Sequence, residues 1–180
     1  MNYSRFATLL LIFIVASCNS SSDPYGIAPN RVGKLQRTTR LNQLDSIYAL
    51  DSLVRDSSLI SMGLNSSIQV FEKGGKLLLT LSPASDTLNR IGNIRIQDPR
   101  FTTEKGISIE STFGEVASKY EIQKVITSFK NLVLILKDTD VYVTISREDL
   151  PGDLRFSSAA IEAVQIPETT PIRYLMVAWD

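Results

Sequence analysis

The side chains able to carry out acid–base or nucleophilic chemistry are few in this sequence, and the absences narrow the field first. Histidine occurs nowhere in the 180 residues, which excludes a Ser-His-Asp triad, an imidazole base and an imidazole metal ligand. No serine is followed three positions later by lysine, so the Ser-x-x-Lys arrangement of penicillin-binding enzymes is missing. Gly74-Gly75 lacks the Gly-Lys-Ser/Thr helix opening that would cradle a phosphate. What remains is a pair of carboxylates, the device of glycosidases, where two acids flank the bond to be broken. Glu110 with Glu115 and Asp138 with Asp140 are the candidates, although acids at helix starts and turns ordinarily serve as solvated groups. Asp138-Thr139-Asp140 also offers oxygens to calcium, but such a site needs at least about six ligands and a hairpin turn supplies far fewer. The sequence thus names no catalytic residue, no cofactor and no metal ligand.

Two aromatic residues, Tyr174 and Trp179, are the remaining candidates for ligand contact, by stacking on a sugar ring or a peptide side chain. On a strand, residues an odd number apart point to opposite faces, so at most one of the two faces the core.

The first residues say more. A short positive stretch, Met1 to Arg5, is followed by the apolar run Phe6 to Val15 and the small pair Ala16-Ser17, the order of a secretory signal peptide. The apolar run is about half the roughly 20 residues a bilayer-spanning helix needs. Val15-Ala16-Ser17-Cys18 resembles the lipobox of bacterial lipoproteins: a branched apolar residue, two small ones, then cysteine. That resemblance implies a diacylglyceryl group on the Cys18 thiol, cleavage just before it and acylation of the new amino group. Cys18 is the single cysteine, so it has no disulfide partner within the chain, and acylation leaves no thiol nucleophile. One acyl chain binds a membrane marginally, at about 10⁴ M⁻¹, whereas two or three hold it stably. The membrane is thus the expected partner. Asn19 stands where aspartate commonly directs such proteins to the inner membrane, which points to the outer one.

Residues 1–17 are accordingly read as a lipoprotein signal peptide and 18–40 as a lipidated N-terminus and linker, with Asn19 to Ser22 as a polar tether and Pro24, Gly26, Pro29 and Gly33 as breakers. Arg31, Lys34, Arg37 and Arg40 recur every three residues; on a helix they would form a basic stripe able to meet anionic head groups. Loss of residues 1–17 removes only Arg5 among the charges, leaving 18 basic against 19 acidic side chains. A chain so balanced lacks the basic excess a general nucleic-acid binder needs.

Residues 41–180 are expected to form a single α+β domain: a mainly antiparallel sheet of hairpins and a meander with one or two packing helices, preceded by a flexible tether. Leu41, Leu44, Ile47, Tyr48, Leu50, Leu53 and Val54 fall mostly three or four apart, which predicts an amphipathic helix over about 41–55. From about residue 67 the pattern turns to strands. Ile68 to Phe71 and Lys76 to Leu81 flank Glu72-Lys73-Gly74-Gly75 as a hairpin, and Asn93 to Gln97 alternates with period two. Val125 to Phe129, Leu132 to Lys137 and Val141 to Ser146 read as a meander, and Ile172 to Trp179 as a final strand paired inside the sheet.

Gly106 to Tyr120 predicts a short strand leading into a helix, with Thr112 and Glu115 as a capping box and Phe113, Val116, Ala117 and Tyr120 on one apolar face. This G-I-x-I-x-x-T-x-x-E-V-x-x-x-Y element resembles one in small periplasmic α+β domains, including the outer-membrane assembly lipoprotein and β-lactamase-inhibitor-like folds; it departs from them at Glu110, where glycine is common. The resemblance covers about 15 residues and implies a fold, with no functional residue carried over. Three classes of function stand: a non-enzymatic envelope lipoprotein that binds a protein partner as an accessory subunit, a small-ligand or glycan-binding module, and a carboxylate-dependent hydrolase.

Overall fold

The computed structural model describes residues 23–55, 67–85 and 89–179. Cys18, the expected signal peptide and the expected tether to Ser22 lie outside them. The fold is α+β and mainly antiparallel β.

Its larger sheet is built from β4 (Ser52–Arg55), β5 (Ile68–Phe71), β6 (Leu77–Pro83), β7 (Ile91–Ile96), β9 (Ile122–Thr127), β10 (Asn131–Leu136), β11 (Val141–Ser146) and β12 (Tyr174–Ala178). Their order is β4-β5-β6-β7-β12-β11-β10-β9, every neighbouring pair antiparallel. The sequence alternation sets the register. One row of cross-strand partners, Leu53, Val70, Leu79, Ile96, Leu175, Val143, Leu134 and Val125, crosses all eight strands and is apolar throughout. The next row, Gln69, Thr80, Arg95, Met176, Tyr142, Ile135 and Lys124, points the other way and is half-buried or exposed. A slip of one residue would turn the buried row out to water, so this pattern pins the pairing. As expected, the final strand is internal, held between β7 and β11.

Residues 26–36 correct the linker reading. They form β1 (Gly26–Ala28), β2 (Arg31–Val32) and β3 (Leu35–Gln36), and with β8 (Thr102–Thr103) make a small sheet of order β3-β2-β1-β8. Ile27, Val32 and Leu35 are wholly or almost wholly buried in the common core. The breakers turn a tight meander instead of loosening a linker: Asn30 and Gly33 have φ of 61° and 55°, at the two turns. The basic residues are dispersed by the same turns, so no helical stripe forms. Lys34 pairs with Asp51 at 2.7 Å, Arg37 with Asp140 at 2.9 Å, and Arg31 donates to the carbonyl of Asp23 at 2.8 Å.

The helix expected over 41–55 is a second correction. A 3₁₀ turn at Leu41–Gln43 runs into the one-turn helix α1 (Leu44–Ile47), and the chain then re-enters the sheet as β4. Leu44 and Tyr48 are buried while Leu50 and Val54 are exposed, so the apolar spacing was shared between a helical turn and a strand. Elsewhere Thr112 and Glu115 close their capping box on α2 (Phe113–Lys119). Phe113 and Val116 are buried and Tyr120 half-buried, but Ala117 faces water. The short strand before this helix does not form: Gly106 has φ of 72° and Ser108 to Ser111 is a turn. A last short helix, α3 (Gly152–Arg155), lies in the connection from β11 to β12.

Candidate binding groove

One concavity of the structure has a volume of about 800 Å³. It lies where the β1–β2 turn and the loop after β8 face the start of β9 and the β10–β11 hairpin. Ile27, Leu136, Val141 and Val177, all buried, contribute its apolar lining. Two residues in the left-handed region, Asn30 and Asp138, turn the chain at its rim; each type tolerates that conformation because its short side chain bonds locally.

The polar lining is already partly paired. Lys137 meets Glu121 at 2.8 Å, and this hydrogen-bonded carboxylate raises the lysine above its ordinary pKa. Lys105 sits 4.4 Å over the Tyr120 ring and donates to the Lys119 carbonyl at 2.7 Å. Asp138 and Asp140 both line the groove, so the structure brings this sequence-level pair to a concave site. Their roles differ: Asp140 is bound by Arg37, while Asp138 occupies the turn. Such a surface can hold a polar or charged ligand through ion pairs and backbone groups, over an apolar base.

The other candidates are not brought to it. Glu115 accepts the Thr112 amide at 2.9 Å as part of its cap, and Glu110 is exposed on the preceding turn. Tyr174 and Trp179 do point to opposite faces. Trp179 is 3% exposed and joins the core, its indole N–H lacking an acceptor among the described residues. Tyr174 lies on the outer face of the sheet with the Arg95 guanidinium 4.3 Å from its ring centre and that of Arg173 at 5.7 Å. Stacked guanidiniums leave little free ring for a sugar. Among the described residues, no group of three or more acidic, cysteine or histidine side chains is placed to hold a metal.

Sequence reasoning missed one polar cluster. Asp98, read only as part of an Asp-Pro turn, has a wholly buried side chain gripped by Arg100 at 2.8 Å and Lys76 at 3.0 Å. Arg100 also binds Glu72 at 2.8 Å and lies 4.3 Å over the Tyr25 ring, whose hydroxyl donates to Glu72 at 3.0 Å. The cluster ties the first described residues to the β5–β6 hairpin and the β7–β8 loop. Its partners are 23 or more residues apart in most pairs, a separation that leaves no local pattern to read.

No protein-family model and no curated protein matches the sequence. The fold is similar to that in the crystal structure of the uncharacterized protein yfeY from Escherichia coli, with 12% identity and a TM-score of 0.53 over 85% of this chain and 99% of that one. At that identity the likeness concerns the fold alone.

Proposed function

We propose that this chain is an envelope lipoprotein, anchored through acyl chains on Cys18 to the outer membrane with its domain towards the periplasm, and that the domain binds a protein partner as a non-enzymatic accessory subunit. The observation that carries the reading is the run from Arg5 through the apolar segment to Val15-Ala16-Ser17-Cys18. The early start of the domain agrees with it. Asp23 is already held by Tyr25 and Arg31, so only Asn19 to Ser22 separate the anchor from the fold. The five steps from Cys18 to Asp23 span about 18 Å at most, which would keep the domain close to the lipid.

Intact-mass analysis of protein from the membrane fraction tests this. The expected mass is that of residues 18–180 plus acyl groups, and Cys18→Ser should remain an uncut, unlipidated precursor. Normal maturation of that variant would defeat the proposal. Proteinase treatment of whole cells assigns the face, and crosslinking of the mature protein should recover an envelope protein above background.

A second reading, a small-ligand or glycan-binding module, is favoured by the groove itself, whose volume falls within the usual range for ligand sites of roughly 300–1,000 Å³. Ligand-induced stabilisation that is lost in Asp138→Ala and Tyr120→Ala together would support it over the accessory role.

A further inference from the structure

We infer that one end of the large sheet rests on the phospholipid surface, with Phe129 and Phe156 entering the interfacial layer as a second contact beside the Cys18 anchor. The inference rests on the lipoprotein reading above and adds to it an orientation and a lipid-binding site.

The register assigns every connection to one end of the sheet or the other. Ser52 lies opposite Phe71, Leu79 opposite Ile96, Ile96 opposite Leu175 and Asn131 opposite Ser146. The 48–51, 72–75, 97–101 and 128–130 turns, with the long connection 147–173, therefore emerge together. Of the four most exposed large apolar side chains of the described residues, Phe129 at 90% and Leu50 at 81% lie in these turns and Phe156 at 82% in the part of the connection that Arg147 ties to the 128–130 turn, while Val164 at 88% lies farther along, shortly before residues 168–170 pack on α2. At the opposite end the described connections expose Ser85, Asn89, Lys137 and Asp138, all polar. Val54 and Ile126, the remaining exposed large hydrophobics, sit on the two edge strands β4 and β9.

The chain also enters at the apolar end, since the Tyr25 hydroxyl bonds Glu72 in the 72–75 hairpin. Cys18 is five residues before Asp23, so acyl chains there would hold this end within about 18 Å of the bilayer. Single aromatic side chains on separate turns suit a fluid phase, which admits each one independently; a protein partner would need one continuous patch. Arg147 joins the two Phe-bearing loops, donating to the Ser128, Leu154 and Ser157 carbonyls. Lys130 follows Phe129, and Arg155, whose guanidinium donates to the Glu148 carbonyl, precedes Phe156. Glu148, Asp149 and Asp153 offset these cations, so the contact is chiefly apolar and depends weakly on salt.

The test places tryptophan at three exposed sites of the full lipidated protein, Phe129→Trp, Phe156→Trp and Ser85→Trp, in phosphatidylethanolamine–phosphatidylglycerol vesicles doped with brominated phospholipid. Buried Trp179 provides a constant background measured in the parent protein. Blue-shifted emission quenched by bromine at 129 and 156, with none at 85, is the expected result. Absence of quenching at both Phe positions, or equal quenching at 85, overturns the inference. The mass of each sample reports lipidation separately, so failure of the anchor is distinguishable from failure of the orientation.

Discussion

The guanidinium of Arg147, 9% exposed, donates to the carbonyl of Leu154 at 3.1 Å, and further bonds to Ser128 and Ser157 fasten the β9–β10 turn to the connection that follows β11. No carboxylate faces this buried charge in the hydrogen bonds it makes; three backbone oxygens hold it instead, and its removal would take a donor from those of Ser128 and Ser157, while that of Leu154 keeps the Ser157 amide. Arg147→Met should cost about 2–3 kcal/mol, because three charged, part-buried hydrogen bonds are lost. Arg147→Lys should recover only part, since one ammonium cannot span the same set of acceptors. Urea unfolding of the three proteins measures both.

Gly114 puts helix propensity against packing. Alanine in place of a helical glycine normally gains about 1 kcal/mol. Here a Cβ would meet the Cβ of Glu168 at 2.8 Å and its carbonyl oxygen at 3.0 Å, while the Gly114 amide donates to that same oxygen at 2.8 Å. Overpacking against backbone costs about 1–3 kcal/mol, so Gly114→Ala should lower stability despite the better helix former. A rise in the thermal midpoint would contradict the geometry.

Asp98 sets the acid limit. The Arg100 guanidinium, helped by Lys76 and the Arg100 amide, holds its carboxyl well below the usual carboxylate range even though burial pushes the other way. The folded state therefore binds this proton less readily than the unfolded chain. The stabilisation is complete above the ordinary aspartate pKa of about 3.9 and is lost as pH falls below it towards the folded-state value. Asp98→Asn should reduce stability at neutral pH and flatten this acid limb. Unfolding midpoints across an acid titration check it; an unchanged slope would mean the loss comes from elsewhere.

The cap of α2 is satisfied from both sides, Thr112 accepting from the Glu115 amide and Glu115 from the Thr112 amide. Thr112→Ala should cost about 1 kcal/mol and Thr112→Ser little, with the loss read by thermal unfolding.

These cases mark what the sequence could tell. The cap, the Gly74-Gly75 hairpin and the alternating strands were legible because their signals span a few residues. The meander was found, with β9 beginning at Ile122, three positions before the expected Val125. Residues 26–36 were misread because strands of two or three residues carry no periodicity, and their prolines and glycines look alike in a tether and in a tight turn. The 41–55 segment failed for a related reason: Leu44 and Tyr48 keep helical spacing across a turn that then becomes β4. Of the groove, Asp138 and Asp140 were nameable as a turn pair. Asn30, Lys105 and Tyr120 were not, since only the fold brings them near that hairpin.

The position of β12 bears on when the protein can finish folding. Strands β4 to β7 and β9 to β11 are two blocks whose junction is supplied by residues 174–178, the last strand in chain order. Until those residues are delivered, β7 and β11 each present an unpaired edge, and the row of core side chains is interrupted at Leu175. The two blocks thus stay unjoined until residues 174–178 are made and delivered, and the sheet closes only when that strand inserts between them.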